Sequence, residues 1–211
     1  RRDGAGIFDR TRVEDIRATS RGVTLRTTQG QTVRAGHLVM AAGYASQQWL
    51  KKRVARNRSS YAFISDPMGA DALGFLEDTL LWESARPYLY MRSTSGRRLL
   101  VGGEDDTVDI PARRDARVEK KAATLMKKLQ RLFPDMVLTP AFSWAGTFAE
   151  TEDGLPFFGP HPQWGPRVHF AMAYGGNGIT YSMLGAGLLR ALMERRKHKL
   201  WPLFSFERLE R

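Results

Sequence analysis

The chain has 211 residues, no cysteine, 42% hydrophobic and 26% charged content, and a net charge of +11. That balance excludes a largely disordered chain, a disulfide-stapled fold and any Cys-based zinc or iron–sulfur site, and no run approaches the ~18 apolar residues of a membrane-spanning helix. The opening RRDGAGIFDR is basic but has no apolar core, so no secretory signal is read there. Without cysteine a reducing, cytoplasmic setting is expected, and without an initiator Met the chain is expected to belong to something longer.

Read in order, the first 43 residues open with a small antiparallel meander. Val23 and Leu25 alternate with polar residues, TTQGQ is a turn, and Val33 resumes the pattern. HLVMAAG is apolar at consecutive positions, which predicts a strand buried on both faces and ending in a glycine turn. Residues 51–58, KKRVARNR, predict a polar crossing between lobes. YAFISD, LLWES, YLYMRS and RLLVGGED predict four strands, with TSGRR as a hairpin loop. Residues 112–133 predict a long helix: Val118, Ala122, Leu125, Leu129 and Leu132 share one face, and Pro134 ends it. AFSWAGTF predicts a strand, EDGLPFFGPHP a loop, RVHFAMAY a strand, residues 179–195 a second helix, and the tail WPLFSFERLER irregular chain. This order predicts an α+β fold, or an incomplete α/β one.

Several chemistries find no support. His37, His161, His169 and His198 never fall at ligand spacing with carboxylates, so they read as surface or satisfied histidines. Ser46 and Ser182 lack a nucleophile elbow. Glu150, Glu152 and Asp153 cluster, but Asp153-Gly154 reads as a turn. The basic runs at 51–58, 113–121 and 194–199 contain no interleaved aromatic and read as solvated faces rather than a nucleic-acid site.

Two glycine stretches stand out. VMAAGY (39–44) ends a strand in small residues, where a ligand approaches the carboxyl end of an α/β sheet. In AYGGNGITYSMLGAGLLR, Gly175-Gly176-Asn177-Gly178 separates a strand from a helix whose free N–H groups and dipole favour negative charge. Asn177 or Thr180 is expected to cap that helix. Gly178, Ser182 and Gly185 put small residues along one face, which suits close approach to a strand or ligand.

Taken together, HLVMAAGYASQQWL, RPYLYMRSTSGRRLLVGGEDD, WAGTFAETEDGLPFFG, AYGGNGITYSMLGAGLLRALM and the closing LFSFERL resemble the FAD-dependent oxidoreductases of the D-amino-acid oxidase superfamily, the glycine and sarcosine oxidase-like enzymes. The resemblance implies a partial FAD-binding domain at 1–50 and 146–211, and an antiparallel-sheet substrate domain at 51–145. It also implies FAD contacts at Val13, at Ala41, Ala42 and Gly43, at Gly146, and at Gly176, Asn177, Gly178, Ile179 and Thr180.

The resemblance departs at two places. No G-x-G-x-x-G unit precedes the meander, so the N-terminal FAD-binding segment is missing and weak or absent FAD retention is expected. The arginine that clamps a substrate carboxylate in such enzymes is also absent: its positions hold Phe148 and Tyr174 to Gly176, and Arg92 is the substitute candidate. The implied function is oxidation of an amine or amino acid to an imine by hydride transfer to flavin N5. Tyr88, Tyr90, Arg92, Trp144 and Tyr174 would hold substrate, with no catalytic side chain and no metal. Expected partners are the small-molecule substrate, the missing segment and, through surface that segment leaves uncovered, a second copy in a homodimer. A non-enzymatic basic module, binding nucleic acid or a relic of the oxidase fold, is the alternative.

Overall fold

The computed structural model describes residues 4–69 and 71–210; Arg1, Arg2 and Asp3 of the opening basic stretch lie outside them. The chain divides into two compact units, Arg1–Ala55 with Glu150–Arg211, and Arg56–Ala149.

The first unit begins with the expected meander: β1 (Val13–Ala18), β2 (Val23–Thr27) and β3 (Thr32–Ala35), antiparallel throughout. Ile16 pairs with Leu25, and Leu25 with Val33. Gly30 turns the β2–β3 hairpin at a φ of 85°, a conformation that glycine adopts without steric cost. β4 (Leu38–Met40) follows and leads into a 3-10 turn, Gly43–Trp49.

In the second unit, β5 (Arg56–Ser65), β6 (Leu80–Trp82), β7 (Leu89–Ser93), β8 (Leu99–Asp106) and β9 (Pro140–Glu150) form one sheet in the order β6-β7-β8-β5-β9. β5 takes up Arg56, Asn57 and Arg58, three residues expected in the crossing. The helical stretch is broken, with α1 (Pro111–Asp115) and α2 (Val118–Leu132) separated at Ala116 and Arg117. Arg117 at the break reaches Asp106 Oδ2 at 2.9 Å. Ala122, Leu125 and Leu129 of α2 are buried against Tyr61, Phe63, Leu89, Met91, Leu99 and Val101. Leu125 and Leu129 each contribute about 1.5–3 kcal/mol of transfer free energy. Leu132 departs from the expected stripe and is 53% exposed, because Phe133 packs into that end of the core, its ring 5.9 Å from that of Phe75.

The chain then returns to the first unit. Residues expected to be a loop form β10 (Phe157–Pro160), buried at Phe157, Phe158 and Gly159. Three prolines and two glycines in the stretch EDGLPFFGPHP hide the strand from a propensity reading, but its backbone pairs antiparallel with β11 (Val168–Met172). β11 pairs parallel with β4, giving the order β10-β11-β4. β4 is thus an edge strand, and Val39 is 39% exposed rather than buried on both faces. α3 (Gly178–Met193) covers the sheet through Leu188 and Leu189, which pack with Phe158, Ala171 and Phe204. The tail is ordered as α4 (Trp201–Phe204) and a 3-10 turn, Phe206–Glu210. No helix among the described residues is long and apolar enough to cross a membrane.

Candidate functional site

The parallel pairing of β4 and β11, with Phe170 opposite Met40, sends both strands out at the same sheet edge. Ala41, Ala42 and Gly43 leave β4 there, and Tyr174 to Thr180 leave β11 beside them. Ala42 N–H donates to Ser46 Oγ at 3.2 Å, and Ser46 is fully buried, so the turn is fixed from beneath. Gly43 and Gly175 both have a φ of 56°, and Ala173 is held at 64°. A Cβ built on Gly43, Gly175 or Gly178 meets nothing within 4 Å. These glycines make room for no atom of the chain itself.

Asn177 is the N-cap residue of α3, but its side chain makes no capping bond, nor does that of Thr180. The Asn177 N–H is turned back to Tyr174 O at 3.2 Å, and Asn177 O accepts the first helical bond, from Tyr181 N–H at 3.0 Å. The N–H groups of Gly178, Ile179 and Thr180 therefore have no helical acceptor, and Ile179 is 88% exposed. Uncapped donors at a positive helix end, beside open glycine backbone, fit the electron-rich edge of a flavin ring. Tyr174 sits lower. Its ring is half-buried against Phe158 and Tyr181, at 5.6 and 6.4 Å. Burial raises its pKa, and a hydrogen bond with Ser182 acts the other way.

Val13, at the start of β1, lines a cleft of about 460 Å³ with Arg12, Glu14, Thr28, Gln48 and Trp49. The sequence carried no signal for those five, since β1, the β2–β3 turn and the 3-10 turn come together only in the fold.

In the second unit, Leu89 and Met91 of β7 point into the core under α2, so Tyr88, Tyr90 and Arg92 take the opposite face of the sheet. The Tyr88 and Tyr90 rings are 6.1 Å apart. Burial pushes both phenols up, and the negative charge of Asp105 adds to it. Arg92 is exposed and donates to Ser93 O at 3.2 Å. On β9, Ala145 packs toward α2 and Thr147 bonds Ser59 and Arg114, so Trp144 and Gly146 share the face of Tyr90. Three strand spacings, about 14 Å, separate Trp144 from β7. Gly146 has nothing within 4 Å of a built Cβ.

A family model described as "DAO: FAD dependent oxidoreductase" matches residues 1–192. The chain belongs to this family. Glycine oxidase of Geobacillus kaustophilus (strain HTA426) is 33% identical over 205 residues, 96% of this chain and 52% of the relative. Glycine oxidase of Bacillus subtilis (strain 168) is 27% identical over 217 residues, 98% and 54%. The crystal structure of the Geobacillus kaustophilus glycine oxidase superposes with a TM-score of 0.78 at 26% identity, covering 95% of this chain and 53% of that one. The chain spans about half the length of these relatives. L-proline dehydrogenase from P. horikoshii, at 16% identity, TM-score 0.75 and 98% and 56% coverage, shares the fold.

In this chain the histidines are not all at the surface. His169 is buried, and its Nε2 lies 3.0 Å from His37 Nδ1. His37 Nε2 in turn lies 2.8 Å from an Arg167 guanidinium nitrogen. No cluster of three or more His, Cys, Asp or Glu side chains that could hold a metal ion occurs among the described residues.

Proposed function

We propose that this chain is the part of an FAD-dependent oxidoreductase that holds the flavin ring and the substrate, and that the whole protein oxidises a small amine or amino acid at its carbon–nitrogen bond. One observation carries the reading: the parallel β4–β11 pair delivers two open glycine turns and the uncapped start of α3 to one sheet edge. The first unit is then the FAD-binding domain, completed by an N-terminal segment, and the second the substrate domain.

FAD, when bound, supplies the electron acceptor. The backbone of Ala41, Ala42, Gly43, Gly176, Asn177 and Gly178 would hold the ring, and the N–H groups of Ile179 and Thr180 would stabilise negative charge on its edge. Val13 would meet the adenosine half through its backbone in the cleft beside Trp49, and Gly146 is a further candidate FAD contact. Tyr88, Tyr90 and Trp144 would orient the substrate, and Tyr174 is a further candidate substrate contact. Arg92 is exposed and suits a carboxylate where the substrate carries one. The names of the 33% and 27% identical relatives support a small amino acid as the substrate class.

The test uses the longest open reading frame that contains these 211 residues. Its purified product is expected to show flavin absorbance that bleaches anaerobically on adding a primary or secondary amine or an amino acid such as glycine. A product without flavin, or flavin that no such compound bleaches, overturns the proposal. The 211-residue chain alone is expected to retain little FAD.

A further inference from the structure

The reaction described above makes no use of Asp105. Both oxygens of its carboxylate are buried without a full-geometry hydrogen bond among the described residues, and the Tyr88 phenol lies close enough to act on them as a donor. Ser60 Oγ is buried too and, short of a full-geometry bond, turns toward the Tyr90 phenol. Buried polar atoms are nearly always bonded, and an uncompensated buried carboxylate is costly. Three such atoms lie in one patch of the second unit.

The ladder between β5 and β8 explains their meeting. Ser59 pairs with Asp106 and Tyr61 with Gly103, so Ser60 alone stands opposite Glu104 and Asp105. This is a β-bulge, two residues against one. Glu104 takes a φ of 56° at the bulge. A strict alternation from Val101 would put Asp105 under α2. Instead Glu104 pairs with Lys121 and Lys128 of α2, and Asp106 with Lys121 and Arg117. Asp105 is left on the other face, where its charge acts on Tyr88 and Tyr90.

The bulge has turned one carboxylate out of a well-paired cationic core and onto the face that carries Tyr88, Tyr90 and Arg92. Arg92 donates to Ser93 O, and Arg86 lies over the Tyr88 ring, 5.9 Å from its centroid.

We propose that Asp105 sets substrate specificity by holding a positively charged nitrogen, and that Asp105, Ser60, Tyr88 and Tyr90 form an alkylammonium subsite. An ammonium offers three donors. The two Asp105 oxygens have more acceptor sites than the Tyr88 phenol fills, Ser60 Oγ adds another, and two phenol rings stand beside them. The inference rests on the reading of the protein as an amine-handling oxidoreductase and adds the charge and anchor of its substrate. The nitrogen is either the one oxidised or a second one further along the molecule.

The 211-residue chain is titrated calorimetrically with n-butylammonium chloride, 1,4-diaminobutane dihydrochloride and, as a neutral isostere, n-butanol. Both cations are expected to bind. Asp105→Asn keeps the shape and removes the charge, and is expected to weaken both by about ten-fold or more while leaving n-butanol unchanged. Ser60→Ala is expected to weaken them less. A diamine held more tightly than the monoamine assigns the site to a second nitrogen; equal affinities assign it to the reacting one. Asp105→Asn should melt no lower than the parent, since the amide oxygen still accepts from Tyr88 and a buried charge is removed. Failure of the parent chain to bind either cation, equal affinities for parent and Asp105→Asn, or a lower melting temperature for that variant overturns the proposal. No flavin or turnover enters these measurements. Failure of the oxidase reading shows separately, as absent flavin bleaching in the longer product.

Discussion

Gly185 of α3 lies against the ring of Phe158 in β10: a Cβ on the glycine would fall 2.1 Å from the ring's Cε1. Phe158 is completely buried among Ala171, Leu188, Leu189 and Phe204 and has nowhere to retreat. Gly187, two residues on, meets nothing within 4 Å. Gly185→Ala is therefore expected to destabilise the first unit by about 1–3 kcal/mol through overpacking. Gly187→Ala is expected to stabilise it by about 0.5–1 kcal/mol through helix propensity. Urea denaturation of both variants tests the pair, and shifts of the same sign would refute the packing account.

Gly178 differs from both. Its φ is not left-handed, and no atom of the chain lies near its absent Cβ. Gly178→Ala should fold as well as the parent. In the longer reading frame it is expected to weaken FAD binding by roughly ten-fold, the equivalent of about 1.4 kcal/mol of lost contact. Equilibrium dialysis with FAD reads the affinity, and unchanged binding would remove the flavin from this glycine.

The parts of the fold legible in the sequence were those governed by local pattern. The meander, the strand at 168–172 and the α3 span followed from alternation, apolar runs and the glycine start. β10 was illegible because Pro156, Gly159 and Pro160 read as loop, while its strand state comes from pairing with β11. Leu132 was misassigned because Phe133, one residue later, fills the same end of the core. Of the site, the glycine turns were visible in the sequence; their meeting at one edge depended on the parallel β4–β11 pairing. Asp105 was invisible for the opposite reason. Its strand was recognised, but the bulge at Glu104 reversed its face.

Arg208 closes the C-terminal tail onto the turn before β10. It donates to Asp153 Oδ2 at 2.7 Å and to Pro156 O at 3.0 Å, and its guanidinium carbon lies 3.6 Å from the Phe157 ring centroid. Burial would raise the Asp153 carboxyl, but the bonds from Arg208, Leu155 N–H and Thr151 outweigh it and hold its pKa below the ordinary value. A depressed carboxylate stabilises the fold above its unfolded pKa, about 3.9, and that contribution disappears as pH falls through the folded value. Arg208→Ala is expected to lower stability by about 2–4 kcal/mol at neutral pH, from lost charged hydrogen bonds and packing. It should also flatten the acid limb below about pH 4. Chemical denaturation at pH 7 and pH 3 separates the two effects.

The His37–His169 pair makes a second acid-sensitive point. Arg167 can only donate, so His37 Nε2 accepts, its Nδ1–H donates to His169 Nε2, and the His169 proton sits on Nδ1 without a partner. Burial, then the charges of Arg167 and Arg195, lowers the His37 pKa. Burial, then His37 and Arg167, pushes His169 down to about 4. A histidine kept neutral in the fold contributes fully above the unfolded pKa of 6.5, and that contribution declines as pH falls toward the folded value. Stability is expected to drop between pH 6.5 and about 4, by up to about 3 kcal/mol from His169. His169→Gln, which still accepts from His37, should flatten that slope. Nitrogen-15 imidazole spectra at neutral pH should show the Nδ1–H tautomer at both rings.

Arg195 ends α3 in a conformation made for glycine. Its N–H bonds Leu192 O at 3.0 Å and the next N–H, of Arg196, bonds Ala191 O at 2.8 Å, the paired bonds of a Schellman cap. The cap requires its central residue to be left-handed, and Arg195 sits there at a φ of 57°. A side chain with a Cβ costs about 1 kcal/mol in that region, which glycine avoids. Arg195→Gly also removes one of the two cations that lower His37. The variant is expected to raise the stability of the first unit by about 0.5–1 kcal/mol at pH 7, and to shift the His37 titration upward. Lost stability at pH 7 would mean that the Arg195 side chain contributes more to the end of α3 than its backbone strain costs.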